Sequence, residues 1–182
     1  GYFGFESSGT SYRFNFSRSA YRHSLKAMPC GLEVEKLDSK DTESIENIEK
    51  IYSKLTIRSN RSPESCFDVL CSWRDCPYIL KDNGVFVGYF VMDYTKSNVN
   101  EFGVINPKYY PNLVAAVMEK PEAFQVGFVV APFETEKIKF FTENSDGFNV
   151  EGCEMILIYN FEKVIRAYLG AKTKYSKLCD GV

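Results

Sequence analysis

Asn83-Gly84 stands between two apolar runs, "PYILKD" (77–82) and "VFVGYFVMDY" (85–94), and this constrains the chain more than any other short stretch. A two-residue turn needs two consecutive positive-φ positions, which Asn-Gly adopts at little cost, and the flanking runs have the length and β-branched, aromatic content of strands. The sequence therefore predicts an antiparallel hairpin over 77–94.

Around the hairpin, strand and helix signals alternate. "LEVEKLD" (32–38) alternates with period two, and "SKDTESIENIEKIYSKL" places Ile45, Ile48, Ile51, Tyr52 and Leu55 at helical spacing behind a cap at Ser39 or Asp41. Pro63 opens a second helix over 63–74, with Cys66, Val69, Leu70 and Trp73 on one face. The two apolar stripes predict that helices 43–55 and 63–74 pack side by side on one face of a sheet.

Past the hairpin, strands are expected over 99–105, 122–132 and 152–160, the middle one apolar enough to be buried on both faces. Helices are expected from Tyr110 to Lys120, over 133–144 and over 161–182. This interleaving predicts an α+β (mixed α/β) class, a central mixed sheet with helices on both faces. Near the start, Tyr12, Phe14 and Phe16 alternate with Arg13 and Asn15 as in a half-buried strand, followed by a Pro29- and Gly31-bearing connector.

The 182 residues, 45% of them hydrophobic, suffice for one well-buried domain. Lys and Arg number 22 against 24 Asp and Glu, a net charge of −2 without long runs of one sign, so neither nucleic acid nor a membrane is an expected partner. No signal-peptide order is visible and a soluble, cytoplasmic chain with free thiols is expected. The five-residue spacing of Cys66, Cys71 and Cys76 does not suit zinc, so no metal site and no disulfide among them is expected. His23, the single histidine, lies in a polar stretch and reads as a linker residue. The acids of 33–50 alternate with lysines as on a solvated helix face, and Phe86, Tyr89, Phe90 and Tyr94 read as sheet packing.

The junction "INPKYYPN" (105–112) joins a strand to a helix, the place where many folds cradle phosphate on glycine-rich backbone. It has no glycine, and it has two prolines that remove donors. Lys108, Tyr109 and Asn112 are the only coenzyme contacts it could offer.

The order of elements over 32–160 resembles the GNAT (GCN5-related N-acetyltransferase) fold. "YFGFESSGTSYRFNF" resembles the closing strands of a preceding GNAT domain, and "FEKVIRAYLGAKTKYSKLCDGV" resembles the entry to a sterol-carrier-protein-like domain. Together they resemble tandem-GNAT acetyltransferases of the enhanced-intracellular-survival type. The resemblance implies four segments: tail strands over 1–22, a linker over 23–31, a GNAT-like domain over 32–160, and a helical lead-out over 161–182.

It further implies acetyl-CoA for the parent protein and none for this domain, since the family's Gln/Arg-x-x-Gly-x-Gly/Ala pattern is missing from 106–112. The family's tyrosine acid falls just before Phe3-Gly4-Phe5, ahead of Gly1, so no catalytic residue is expected. The implied role is a degenerate scaffold that packs on the first GNAT domain, walls an amine pocket and supports a homo-oligomer. An active acetyltransferase with an atypical loop is the alternative, and a small-ligand module a third reading.

Overall fold

The computed structural model describes residues 5–7, 10–23, 29–55, 58, 61–120, 124–152 and 155–157. Phe3-Gly4, the connector 24–28, Cys153, Cys179 and the closing helix over 161–182 lie outside them, as do the side chains of His23 and Trp73. The elements are β1 (Phe5–Ser7), β2 (Thr10–Ser17), α1 (Arg18–His23), β3 (Glu33–Lys36), α2 (Thr42–Tyr52), α3 (Pro63–Leu70), β4 (Cys76–Asp82), β5 (Val85–Met92), β6 (Asn98–Val104), α4 (Tyr110–Glu119), β7 (Gln125–Val130), α5 (Thr135–Asn144), β8 (Gly147–Gly152) and β9 (Met155–Leu157).

The chain divides into two compact units. In the one formed by 1–10 and 152–182, β1 and β9 pair antiparallel with Glu6 opposite Ile156. In the one formed by 11–151, seven strands lie in the order β3-β4-β5-β6-β7-β2-β8.

The hairpin forms where expected: Asn83 (φ 51°) and Gly84 (φ 77°) make the turn between β4 and β5. Asp41 caps α2, its carboxylate accepting from the Ser44 N–H at 3.0 Å. The Ser62 N–H donates to Ser65 Oγ at 3.1 Å at the start of α3, where Pro63 takes the first position.

Both helices are shorter than their apolar stripes suggested, α2 ending at Tyr52 and α3 at Leu70. Arg74, at φ 67°, ends the short 3-10 turn that follows α3. Ile45, Ile48, Cys66 and Leu70 share one cluster with Ile79, Tyr89 and Val91, so α2 and α3 do cover one face of β4 and β5 together. Val69, read as part of the stripe, is exposed instead, and Phe67 packs in its place.

α4 and α5 serve the other core. Phe141 is its hub, with ring centroids of Phe128, Phe102, Phe14 and Phe16 at 4.9, 5.3, 5.7 and 5.9 Å. Such tilted and edge-on contacts suit aromatic quadrupoles.

Two features depart from the sequence reading. Residues 1–22 were expected to lie outside the domain, yet β2 is an interior strand of its sheet, antiparallel to β7 with Phe14 opposite Phe128 and Phe16 opposite Val126. Period-two alternation marks a strand but cannot name its neighbour. The second is β8, which carries Phe148 and Val150 at the sheet edge and was not read as a strand. Its Gly, Asn and Glu hide the β signal.

Candidate functional site

β6 and β7 run parallel but pair only at Asn98 with Gly127 and Val99 with Phe128. On its other side β6 changes register against β5, with Met92 opposite Val99 and Val91 opposite Glu101, so Asn100 is an extra residue. A bulge bends the strand that carries it. Beyond Val99 and Phe128, β6 and β7 share no further pairing, which leaves a split in the ladder between two central strands.

Backbone groups in such a split need other partners. The Phe102 carbonyl accepts from Lys137 Nζ, on α5, at 2.6 Å, and the same ammonium lies 4.2 Å from the centre of the Phe102 ring. Lys137 pairs with Glu134 at 2.5 Å, and Glu134 accepts from the Ala131 N–H, just past β7, at 3.0 Å. Both side chains are largely covered, at 13% and 10% exposure. Together they form a polar bracket across the split, one end on β6 and the other at the end of β7.

The loop that leaves β6 is closed by its own contacts. Asn106 Oδ1 accepts from the Lys108 N–H and the Asn106 carbonyl accepts from the Tyr109 N–H, both at 3.0 Å. The Tyr110 N–H donates to the Pro107 carbonyl, and Pro107 and Pro111 have no N–H. Three amides of 106–112 are thus spent within the loop, and two more positions have none to offer.

The fold brings Lys108, Tyr109 and Asn112 to one turn, and two of the three are tied elsewhere. Tyr109 donates to Asp82 at 3.2 Å, and Asn112 Nδ2 to the Cys30 carbonyl at 2.8 Å. Lys108 is exposed, its ammonium 4.8 Å from the Tyr109 ring. Tyr110 is buried against Phe140, and burial, with Glu134 and Glu136 adding to it, pushes its phenol up to about 12.

Glu101, next to Phe102 in β6, belongs to the opposite face, where Arg61 draws a polar cluster together. Arg61 Nη1 and Nη2 donate to the two Glu101 oxygens at 3.1 and 2.9 Å, and Nε donates to Glu49 at 2.5 Å. The Tyr89 hydroxyl donates to Glu101 at 2.7 Å, and Arg61 Cζ sits 3.5 Å from the centre of the Tyr52 ring. Burial opposes the Arg61 charge, but Glu101 overcomes it and holds the guanidinium above its ordinary pKa.

The sequence reading missed this cluster and gave Glu49 to a solvated face. Its members are far apart in the chain, and each alone reads as a surface charge or a packing aromatic. Of the hairpin aromatics, Tyr89 and Phe90 are buried on opposite faces, Phe86 is half-buried, and Tyr94 is exposed rather than packed.

Cys30, Cys66, Cys71 and Cys76 are free thiols. Burial, then a hydrogen bond with Glu49, push the Cys66 thiol from 9.0 to about 12. Burial likewise pushes the Tyr89 phenol well up, with Glu101 adding to it.

The folded chain holds these protons more tightly than the unfolded one does. Stability is therefore full below the unfolded pKa values and falls as pH rises toward the folded ones. Urea midpoints between about pH 8 and pH 11 should drop, and Cys66→Ala should flatten the early part of that drop relative to its own value near neutrality. An unchanged slope in the variant would remove Cys66 from the account.

No family model and no curated protein matches the sequence. Among solved structures, the chain is similar to a GCN5-related N-acetyltransferase from Kribbella flavida, with 17% identity, TM-score 0.53, and coverage of 82% of this chain and 38% of that one. A GCN5-related N-acetyltransferase from Anabaena variabilis is matched at 12% identity and TM-score 0.53, over 84% of this chain and 40% of that one. A functionally unknown conserved protein from Staphylococcus epidermidis is matched at 16% identity and TM-score 0.54, over 82% and 60%. The chain thus spans less than two thirds of each. These likenesses show the fold: α+β, the GNAT acyl-CoA N-acyltransferase fold.

Proposed function

We propose that this chain is a non-catalytic, interface-forming GNAT-fold scaffold within a longer acetyl-CoA-dependent N-acetyltransferase. It packs on a catalytic GNAT domain and helps wall an acceptor-amine pocket. A homo-oligomer and a C-terminal sterol-carrier-like domain belong to the same reading.

The observation that carries it is closure by the chain's own groups. Acetyl-CoA needs several free N–H donors at the start of a helix for its pyrophosphate. The 106–112 turn has three of its amides bonded internally and two replaced by proline. Alongside it, the Lys137–Glu134 bracket occupies the split between β6 and β7. The residues present do not fit the coenzyme.

The rival reading, an active transferase with an atypical loop, draws on Lys108, whose charge is exposed beside that turn. The test is release of free CoA thiol from acetyl-CoA in the presence of spermidine or a lysine peptide. The scaffold reading expects the rate to equal that of buffer. Enzyme-dependent turnover that saturates with amine would establish the rival.

A further inference from the structure

The Arg61 guanidinium is held at all three of its nitrogens and on one face. One edge, Nη1 and Nη2, is matched bidentately by Glu101, Nε is taken by Glu49, and its flat face lies on Tyr52. Tyr89 fixes Glu101 from beneath with a 2.7 Å hydrogen bond. Arg61 itself is 3% exposed, while Glu49 and Glu101 keep 17% and 29% exposure, so the carboxylates remain within reach of solvent.

Two carboxylates face one internal cation here, an arrangement of net negative charge. A planar fork fits this cradle, whereas a compact ammonium would satisfy one oxygen at a time and leave the ring face unstacked. An apolar residue would fill the same volume without desolvating the guanidinium.

We propose that Glu49, Glu101, Tyr89 and Tyr52 form a receptor for one guanidinium group, filled in the intact chain by its own Arg61, with alkylguanidinium as its class of ligand. Arg61 acts as a tethered ligand, which a free one must displace. The receptor is therefore latent in the wild type and open once the side chain is shortened. The proposal does not depend on the scaffold reading, since it concerns the opposite face of β6 and requires no coenzyme.

Chemical rescue tests it. Arg61→Ala is expected to melt well below the wild type, because two carboxylates are left without their cation. Ethylguanidinium chloride at low millimolar concentration, far below denaturing levels, should raise the melting temperature of Arg61→Ala saturably by about 5 °C. Ethylammonium chloride and sodium chloride at equal concentration should do much less, and the wild type should not respond. Adding Glu101→Gln to Arg61→Ala should abolish the response.

If Arg61→Ala does not fold alone, refolding in ethylguanidinium should restore its circular dichroism and refolding in ethylammonium should not. Equal effects of the two cations, no saturable effect, or failure to restore the fold would each overturn the proposal.

Discussion

Replacing Phe14 and Phe16 together by alanine is expected to unfold the seven-stranded unit. Both rings are buried in β2, both touch the Phe141 hub, and Phe16 also meets Phe128 edge-on at 5.4 Å. Each truncation of this kind costs about 3–5 kcal/mol. Because the two share Phe141 their effects will not simply add. Even so, the sum rivals a total stability of about 5–15 kcal/mol.

Circular dichroism against urea reads the outcome directly. Each single variant should shift the midpoint strongly, and the double variant should show no cooperative transition. A double variant that unfolds cooperatively with a urea midpoint close to the parent's would place β2 outside the core.

Replacing Lys137 by methionine is expected to cost about 3–5 kcal/mol, since it leaves the Glu134 carboxylate buried without its cation and the Phe102 carbonyl without a donor. Adding Glu134→Gln should recover part of that loss, because the orphaned charge goes. A double-mutant cycle in urea measures the coupling, expected at more than about 1 kcal/mol. Additive losses would mean that the two residues do not act as a bracket.

Much of the architecture was legible where one local rule decided the outcome. Asn83-Gly84 admits few alternatives, and the stripe Ile45, Ile48, Ile51 named the face that α2 buries. What stayed hidden depends on contacts between distant segments. β2 carries a clear alternation, but its place between β7 and β8 is a property of the sheet and not of residues 10–17. The helix ends moved for the same reason: Val69 fits a helical period, yet the sheet beneath α3 takes Phe67 and leaves Val69 in solvent.

The site divides similarly. The missing glycines and two prolines of 106–112 are plain in the sequence, and the turn's internal hydrogen bonds follow from Asn106 preceding Pro107. Lys137 and Arg61 are different. Each is one of many lysines or arginines in the chain, and only the fold puts one against the Phe102 carbonyl and the other against Glu101.

The closure of this region to acetyl-CoA is the central claim, and isothermal titration of the intact chain with acetyl-CoA tests it most directly. Up to high micromolar coenzyme, the heats should match dilution into buffer. Saturable binding, lost on mutation of Lys108 or competed by free CoA, would show that the turn and the split accept the coenzyme and would contradict the account.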